Sequence, residues 1–157
     1  MELRAYIASD KDRCITLFKS NCPKFFAPEE LDPFILWLDH QNQGTPTYSN
    51  SEKECYYVLA LPNVGVIGCG GFYMVKDENR AQLAWGMVHA DFHKMAYGTA
   101  LYKYRQEQIH KLKPDCNITL GTSQYSYSFF EKMGYKIDTI VEFGYGKEIH
   151  RYDMHKE

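Results

Sequence analysis

Apolar residues along the chain fall into two kinds of spacing, and the switches between them mark out the elements. Leu3, Ala5 and Ile7 alternate with Arg4 and Tyr6, which predicts a first strand. Ser9-Asp10 follows as a helix N-cap, with Asp10 and Asp12 in the first turn. Cys14, Ile15, Leu17 and Phe18 supply the apolar face of a first helix, which ends near Cys22-Pro23. A second helix starts at Pro28-Glu29-Glu30 and buries Leu31, Phe34, Ile35 and Leu38, with Trp37 beside them. From Gln41 to Lys53 the chain is polar, contains Gly44 and Pro46, and is expected to form a mobile loop.

From Glu54 the pattern changes to strands. Cys55 to Leu61, Val64 to Val75 and Arg80 to His89 are three apolar runs separated by turn signals at Pro62-Asn63 and Asp77-Glu78-Asn79. Their closeness predicts an antiparallel meander. A long helix follows over Ala96 to Lys113, with Tyr97, Leu101, Tyr104, Ile109 and Leu112 at helical spacing and Pro114 as its limit. Asn117 to Thr122 reads as a short strand. Ser123 caps a helix over Gln124 to Met133, and Gly134 is its C′ residue. Tyr135 to Phe143 and Glu148 to Met154 close the chain as two strands joined across Gly144-Tyr145-Gly146. No internal repeat or second domain boundary interrupts this order, so residues 1–157 are expected to form a single domain.

Composition adds exclusions. A net charge of −2 gives no electrostatic footprint for nucleic acid or an anionic membrane. No run is long enough to span a membrane, and Met-Glu-Leu-Arg begins no signal peptide. The five cysteines are widely spaced, with no CxxC pair and no Cys/His grouping at metal-ligand spacing, which fits reduced cytoplasmic thiols and no metal. His150 and His155 alternate with Tyr152 on the last strand and have no metal-like partner.

The chemistry concentrates between the third run of the meander and the long helix. In Phe92-His93-Lys94-Met95-Ala96-Tyr97-Gly98-Thr99-Ala100-Leu101, small residues bring backbone close to the start of a helix. N–H groups of a first helical turn lack partners and the helix dipole favours an anion there, so this stretch is suited to a phosphate. His93 and Lys94 add donors at its entrance. By contrast, Gly65-Val-Ile-Gly68-Cys-Gly70-Gly71 only imitates a dinucleotide fingerprint. Phe72 to Val75 continues it as strand, whereas the fingerprint needs a helix.

The element order, the stretch from Phe92 to Leu101 and the segment Ser123 to Tyr135 together resemble the GCN5-related N-acetyltransferase (GNAT) superfamily. The family's Gln/Arg-x-x-Gly-x-Gly/Ala motif falls on His93, Lys94, Met95, Ala96, Tyr97 and Gly98, with Val88 at the strand valine before it. Its second motif falls on Ser123, Ser126, Phe129, Phe130, Glu131, Lys132, Gly134 and Tyr135. The resemblance implies a mixed α+β fold: a mostly antiparallel central sheet, flanked by about four helices, whose fourth and fifth strands splay apart. It implies acetyl-CoA as cofactor, bound by Met87, Val88, His93, Lys94, Met95, Ala96, Tyr97, Gly98, Thr99, Ala100 and Phe130. Pantetheine would pair near Met87 and Val88 as an added strand does, and a backbone N–H near Val88 would polarise the acetyl carbonyl. The implied reaction is direct attack by a primary amine in a ternary complex, on a small molecule or a peptide, with a homodimer left open.

Four positions depart from the pattern. His93 replaces Gln/Arg, and Ala96 replaces a glycine, which is compatible with the loop if φ is negative there. Phe130 stands where many members carry a proton-donating tyrosine, and Gln82 where several carry a glutamate base. A non-catalytic acyl-CoA-binding module is therefore the alternative. If the chain is an enzyme, His89 is the first candidate base, ahead of Asp91, Tyr73 and Glu142. Tyr125 and Tyr127, just before Phe130, are the candidates for the missing acid. Phe25, Phe26 and Trp37 lie in the region that covers the acceptor in this family.

Overall fold

The computed structural model describes residues 1–156. In chain order the elements are β1 (Glu2–Ala5), α1 (Lys11–Ser20), α2 (Leu31–Gln43), β2 (Ser51–Leu61), β3 (Gly65–Val75), β4 (Arg80–Val88), α3 (Tyr97–Leu112), β5 (Asn117–Thr122), α4 (Tyr127–Lys132), β6 (Lys136–Gly146) and β7 (Ile149–Lys156). The strands form one sheet in the order β1-β2-β3-β4-β5-β7-β6. Every neighbouring pair is antiparallel except β4 and β5. Order, kind and number of elements follow the apolar spacing in the sequence.

Alternation along the strands divides the core between the two faces of the sheet. Val58 and its neighbour Leu59 are both fully buried but belong to different clusters. One cluster packs Leu17 and Phe18 of α1 and Phe34 and Trp37 of α2 against Tyr56, Val58 and Cys69. Another packs Tyr102 and Ile109 of α3 against Phe72, Ala81, Ile118 and Leu120. The glycines of β3 serve this packing. A Cβ on Gly71 would collide with the Cys55 carbonyl oxygen on β2.

Local departures from the sequence reading have tertiary causes. Helix α2 runs on to Gln43, with Gly44 as a left-handed C-cap at φ +69, and β2 begins at Ser51. The intervening segment is tied down: Glu54 accepts bonds from the Thr47 N–H at 2.7 Å and from Gln41 Nε2 at 2.9 Å. The α3 face is also shifted from the expected one. Leu101, Tyr102, Arg105 and Ile109 are its buried residues, while Leu112 is exposed. Ser123 starts a turn, its Oγ accepting from the Tyr125 N–H at 3.2 Å, and α4 begins only at Tyr127. The last hairpin turns at Lys147-Glu148, beyond the expected Gly144-Tyr145-Gly146, which lies in an irregular stretch of β6.

The parallel contact between β4 and β5 is short and packs Ala81 and Ile118 into the cluster under α3. Ile118 is 2% exposed within it. Replacement by alanine is expected to cost about 2–5 kcal/mol in urea unfolding. Leu112→Ala on the exposed side of α3 should stay within about 0.5 kcal/mol.

Candidate active site

β4 and β5 pair only at Arg80↔Asn117, Ala81↔Ile118 and Gln82↔Thr119. Beyond Gln82 they part. Gln82 sits at the fork, its side-chain oxygen accepting from Thr119 Oγ1 and Arg80 Nη1. β4 keeps its antiparallel partner β3 instead, through a one-residue bulge in which Trp85 and Gly86 oppose Gly70. Trp85 takes φ +51 there. The opening is a cleft of about 840 Å³, bounded by both strand ends, the start of α3, α4 and the α1–α2 connection.

Val88 is the main backbone group in this opening. It faces Gly68 across the ladder, while the N–H of the next residue, His89, bonds to the Ile67 carbonyl at 2.7 Å. Alternate residues of an antiparallel strand turn their N–H groups to opposite sides. The Val88 N–H and C=O therefore point away from β3, toward the gap. Its carbonyl accepts from Asn21 Nδ2 at 3.0 Å and from His93 Nε2 at 2.9 Å. The N–H remains as a donor to whatever lies in the gap.

The start of α3 supplies further donors. Its N-cap, Ala96, makes no side-chain cap bond, and no acidic residue occupies the first turn. The first intrahelical bond is Ala100 N–H to Ala96 O at 3.1 Å, which leaves the N–H groups of Tyr97, Gly98 and Thr99 free of helical partners. Ala96 has φ +68 and Lys94 φ +63. The condition set for alanine at 96 is thus not met, and the loop holds a non-glycine residue in the left-handed region at a cost of about 1–2 kcal/mol. Gly98 shows why small residues stand here. A Cβ on it would meet only Phe129 Cζ, at 3.9 Å, so the protein itself has room for a side chain. That space opens onto the cleft.

Across the cleft stand Phe25, Phe26, Tyr48, Tyr73 and Trp85. Trp85 stacks on Phe26 at 6.2 Å and its Nε1 donates to Tyr48 Oη at 3.0 Å. Two ionisable groups reach in beside this wall. The Glu30 carboxylate accepts from the Ala27 N–H at 2.8 Å, and burial pushes its pKa up to about 7, with Glu29 adding to the shift. The Tyr145 phenol is pushed well up by burial and then by the neighbouring Glu30 charge, so it stays protonated. Gly121 of β5 makes room for that hydroxyl, because a Cβ there would lie 2.5 Å from it.

The expected site residues are divided by this geometry. Met87, Val88, His93, Lys94, Ala96, Gly98, Thr99 and Phe130 line the cleft, and so do Tyr73 and Tyr125. Met95 is 58% exposed and Tyr97 and Ala100 pack their side chains against Leu59, Ile67 and Leu101, so these three side chains stand outside the cleft lining. His89 is not brought to the cleft. It caps the turn after β4, its Nδ1 accepting from the Asp91 N–H at 3.1 Å. Asp91 and Glu142 are exposed and also lie apart. Tyr127 stacks on Tyr152 at 4.6 Å, away from the opening. Trp37 is wholly buried beneath Tyr48 and Tyr56, leaving Phe25 and Phe26 as the expected acceptor wall. Glu30 and Tyr145 carry no sequence signal for their place here: one looked like a helix start, the other like a turn residue.

The family model described as the acetyltransferase (GNAT) family matches residues 13–135. The chain belongs to this family. Among solved structures, a GNAT-family protein from Desulfovibrio desulfuricans superimposes with a TM-score of 0.79 at 17% identity, covering 99% of this chain and 98% of that one. An aminoglycoside 6'-N-acetyltransferase complexed with coenzyme A gives 0.72 at 16%, with 99% and 96% covered. The ribosomal-protein-S18-alanine N-acetyltransferase from Escherichia coli gives 0.72 at 14%, with 98% and 91% covered. At such identities the likeness is one of fold. No curated protein matches the chain in sequence. Among the described residues no His/Cys/Asp/Glu group is placed to hold a metal, and no helix is long and apolar enough to cross a membrane.

The GNAT cofactor, acetyl-CoA, fits what the cleft offers: unpartnered N–H groups at Tyr97 to Thr99 for the pyrophosphate, and the Val88 N–H for an extended arm. Gly98→Trp should therefore leave the melting temperature nearly unchanged while weakening coenzyme A binding at least about tenfold in calorimetric titration. Unchanged affinity would remove this loop from the site.

Proposed function

We propose that this acetyltransferase acts on a primary amine held in the aromatic half of the cleft, with Glu30 taking the amine's proton and Tyr145 as the hydroxyl donor. The observation that carries the reading is the convergence on one opening of the free Val88 N–H, the α3 donors, Glu30 and Tyr145. Bound there, acetyl-CoA supplies an acetyl group activated as a thioester.

The chain's own residues do the rest. The first turn of α3 and Lys94 hold the diphosphate end. The Val88 N–H donates to the acetyl oxygen, where negative charge develops during attack. The aromatic wall orients the incoming amine and excludes water, which gains rate through proximity. An amine arrives protonated at neutral pH, and Glu30, at about 7, is poised to take that proton near neutrality. Tyr145 keeps its proton and would steady the departing thiolate by a hydrogen bond, while that thiolate takes up the second proton shed by the nitrogen after attack. Two residues far apart in sequence thus cover the roles that Gln82 and Phe130 left open, which favours the enzyme over a non-catalytic acyl-CoA-binding module.

The acceptor is a small molecule or a peptide amine. The neighbours named above, for aminoglycosides and for a ribosomal-protein alanine, span both kinds. Phe25, Phe26 and Trp85 favour an amine flanked by apolar or aromatic groups, and an ammonium gains further over such rings. We also infer one domain over the whole chain, a cytoplasmic setting consistent with five unpaired thiols, and a homodimer, if it forms, through the exposed Ile140 and Phe143 of β6.

Glu30 sets a testable pH profile. Its folded pKa lies above the usual 4.5, so the reactive carboxylate fills in as pH rises through about 7. The rate kcat/KM is expected to climb across that range, and Glu30→Gln to lower it about a hundredfold and remove the inflection. The same shift means the folded state holds a proton that the unfolded state has lost between 4.5 and about 7. Stability should fall across that window, and the Gln variant should flatten the fall. A profile unchanged in Glu30→Gln would exclude it as the base.

A further inference from the structure

Helix α3 carries a residue its packing does not explain. Arg105 lies on the buried face with Leu101, Tyr102 and Ile109, where helical spacing calls for an apolar side chain, and it is only 5% exposed. Its guanidinium rests on glycine. A Cβ on Gly70 would come within 3.2 Å of Cζ, and one on Gly86 within 2.8 Å of Nη2. Gly70 and Gly86 are the residues that face each other at the β4 bulge, and Gly86 is exposed to the cleft. The bulge therefore opens a hole in the sheet, and the guanidinium fills its floor. Arg105 itself lines the cleft.

The group is nearly without partners. A guanidinium offers five N–H donors. Among the described residues one bond is made, Nη1 to the Gly71 carbonyl at 3.3 Å. Nε is buried with no partner at all. No carboxylate pairs with Arg105, and its polar surroundings are Tyr56, Tyr102, Tyr135 and Cys69. A buried charge without a counter-ion is costly, because desolvation is not repaid. The other arginine lining the cleft, Arg151, is already neutralised by Asp153 at 2.9 Å. Lys94, the remaining cation of the lining, stands in the loop before α3, so Arg105 is the unpaired positive charge at the floor. The diphosphate site does not answer it, since Gly98 and Arg105 are seven residues apart, about 10 Å along the helix.

Resting on the acetyltransferase reading, we propose that Arg105 is a carboxylate receptor at the floor of the cleft, so that one of the two substrates carries a carboxylate that pairs with its unused N–H donors. A single negative charge matches the one cation at the floor, and a planar carboxylate matches the guanidinium fork. The carboxylate comes either from the far end of the transferred acyl group or from the amine acceptor. The reaction class is then acyl transfer from a dicarboxylic acyl-CoA or acetylation of a free amino acid.

Calorimetric titration of the whole chain separates these sources. In one arm, malonyl-CoA and succinyl-CoA are compared with butyryl-CoA. In the other, with coenzyme A saturating, phenylalanine is compared with phenylalaninamide. The expected result is a preference of at least about tenfold for the carboxylate-bearing ligand in one arm. Arg105→Met should abolish that ratio and Arg105→Lys should keep part of it. Ratios near one in both arms, with coenzyme A itself binding, would overturn this inference alone. So would a preference that survives in Arg105→Met. If the Met variant fails to fold, the wild-type ratios and the Lys variant decide. Failure of coenzyme A to bind the wild type would overturn the parent reading together with this one.

Discussion

The structure depends on a competition that β4 resolves in favour of β3. Both edges of β4 start with partners, β3 on one side and β5 on the other. Past Gln82 the strand absorbs an extra residue at Trp85-Gly86 and stays registered with β3 to Val88, while β5 leaves. A backbone N–H abandoned inside a protein is costly unless something satisfies it. Here it faces a ligand site, so the cost of parting the sheet becomes affinity for whatever completes the ladder. The Val88 carbonyl is meanwhile satisfied from two directions, by Asn21 and His93, which fixes the strand end while leaving the N–H available.

The same bulge links the two halves of the chemistry. On the α1–α2 side it turns Trp85 into the aromatic wall with Phe26 and Phe34. On the α3 side it exposes Gly86 to the Arg105 guanidinium. The two ionisable groups with raised pKa values in the cleft come from outside the family's motifs. Glu30 comes from the turn before α2 and Tyr145 from β6. Burial tunes them both, weakening the acid toward neutrality and keeping the phenol protonated. Phe130 on α4 lines the same cleft without a hydroxyl, and Tyr145 brings one from β6.

Much of this was legible in the residues. The switch from alternation to helical spacing around Phe92 to Leu101 marked the start of α3, and the small residues there marked the uncapped first turn that lines the cleft. Gly98 proved to face open space, with no packing reason within the chain to be small, while Ala96 proved to be strained where a negative φ was expected. Glu30 and Tyr145 were hidden because their positions are set by contacts between distant segments. Gly144-Tyr145-Gly146 has the composition of a turn, yet the chain turns two residues later and leaves Tyr145 pointing inward. His89 looked well placed by sequence distance from Val88, but the next turn claims its Nδ1. Arg105 did leave a signal. It follows Leu101 by four residues and precedes Ile109 by four, so a charge lay in the middle of the core stripe.

The central claim is that the gap between β4 and β5 receives acetyl-CoA, with Val88 and the first turn of α3 as its backbone donors. Amide chemical shifts during a titration with coenzyme A test it most directly. The account predicts that the largest changes fall on the N–H groups of Val88, Tyr97, Gly98 and Thr99. Saturable binding whose shifts leave these amides untouched and cluster elsewhere on the molecule would contradict it.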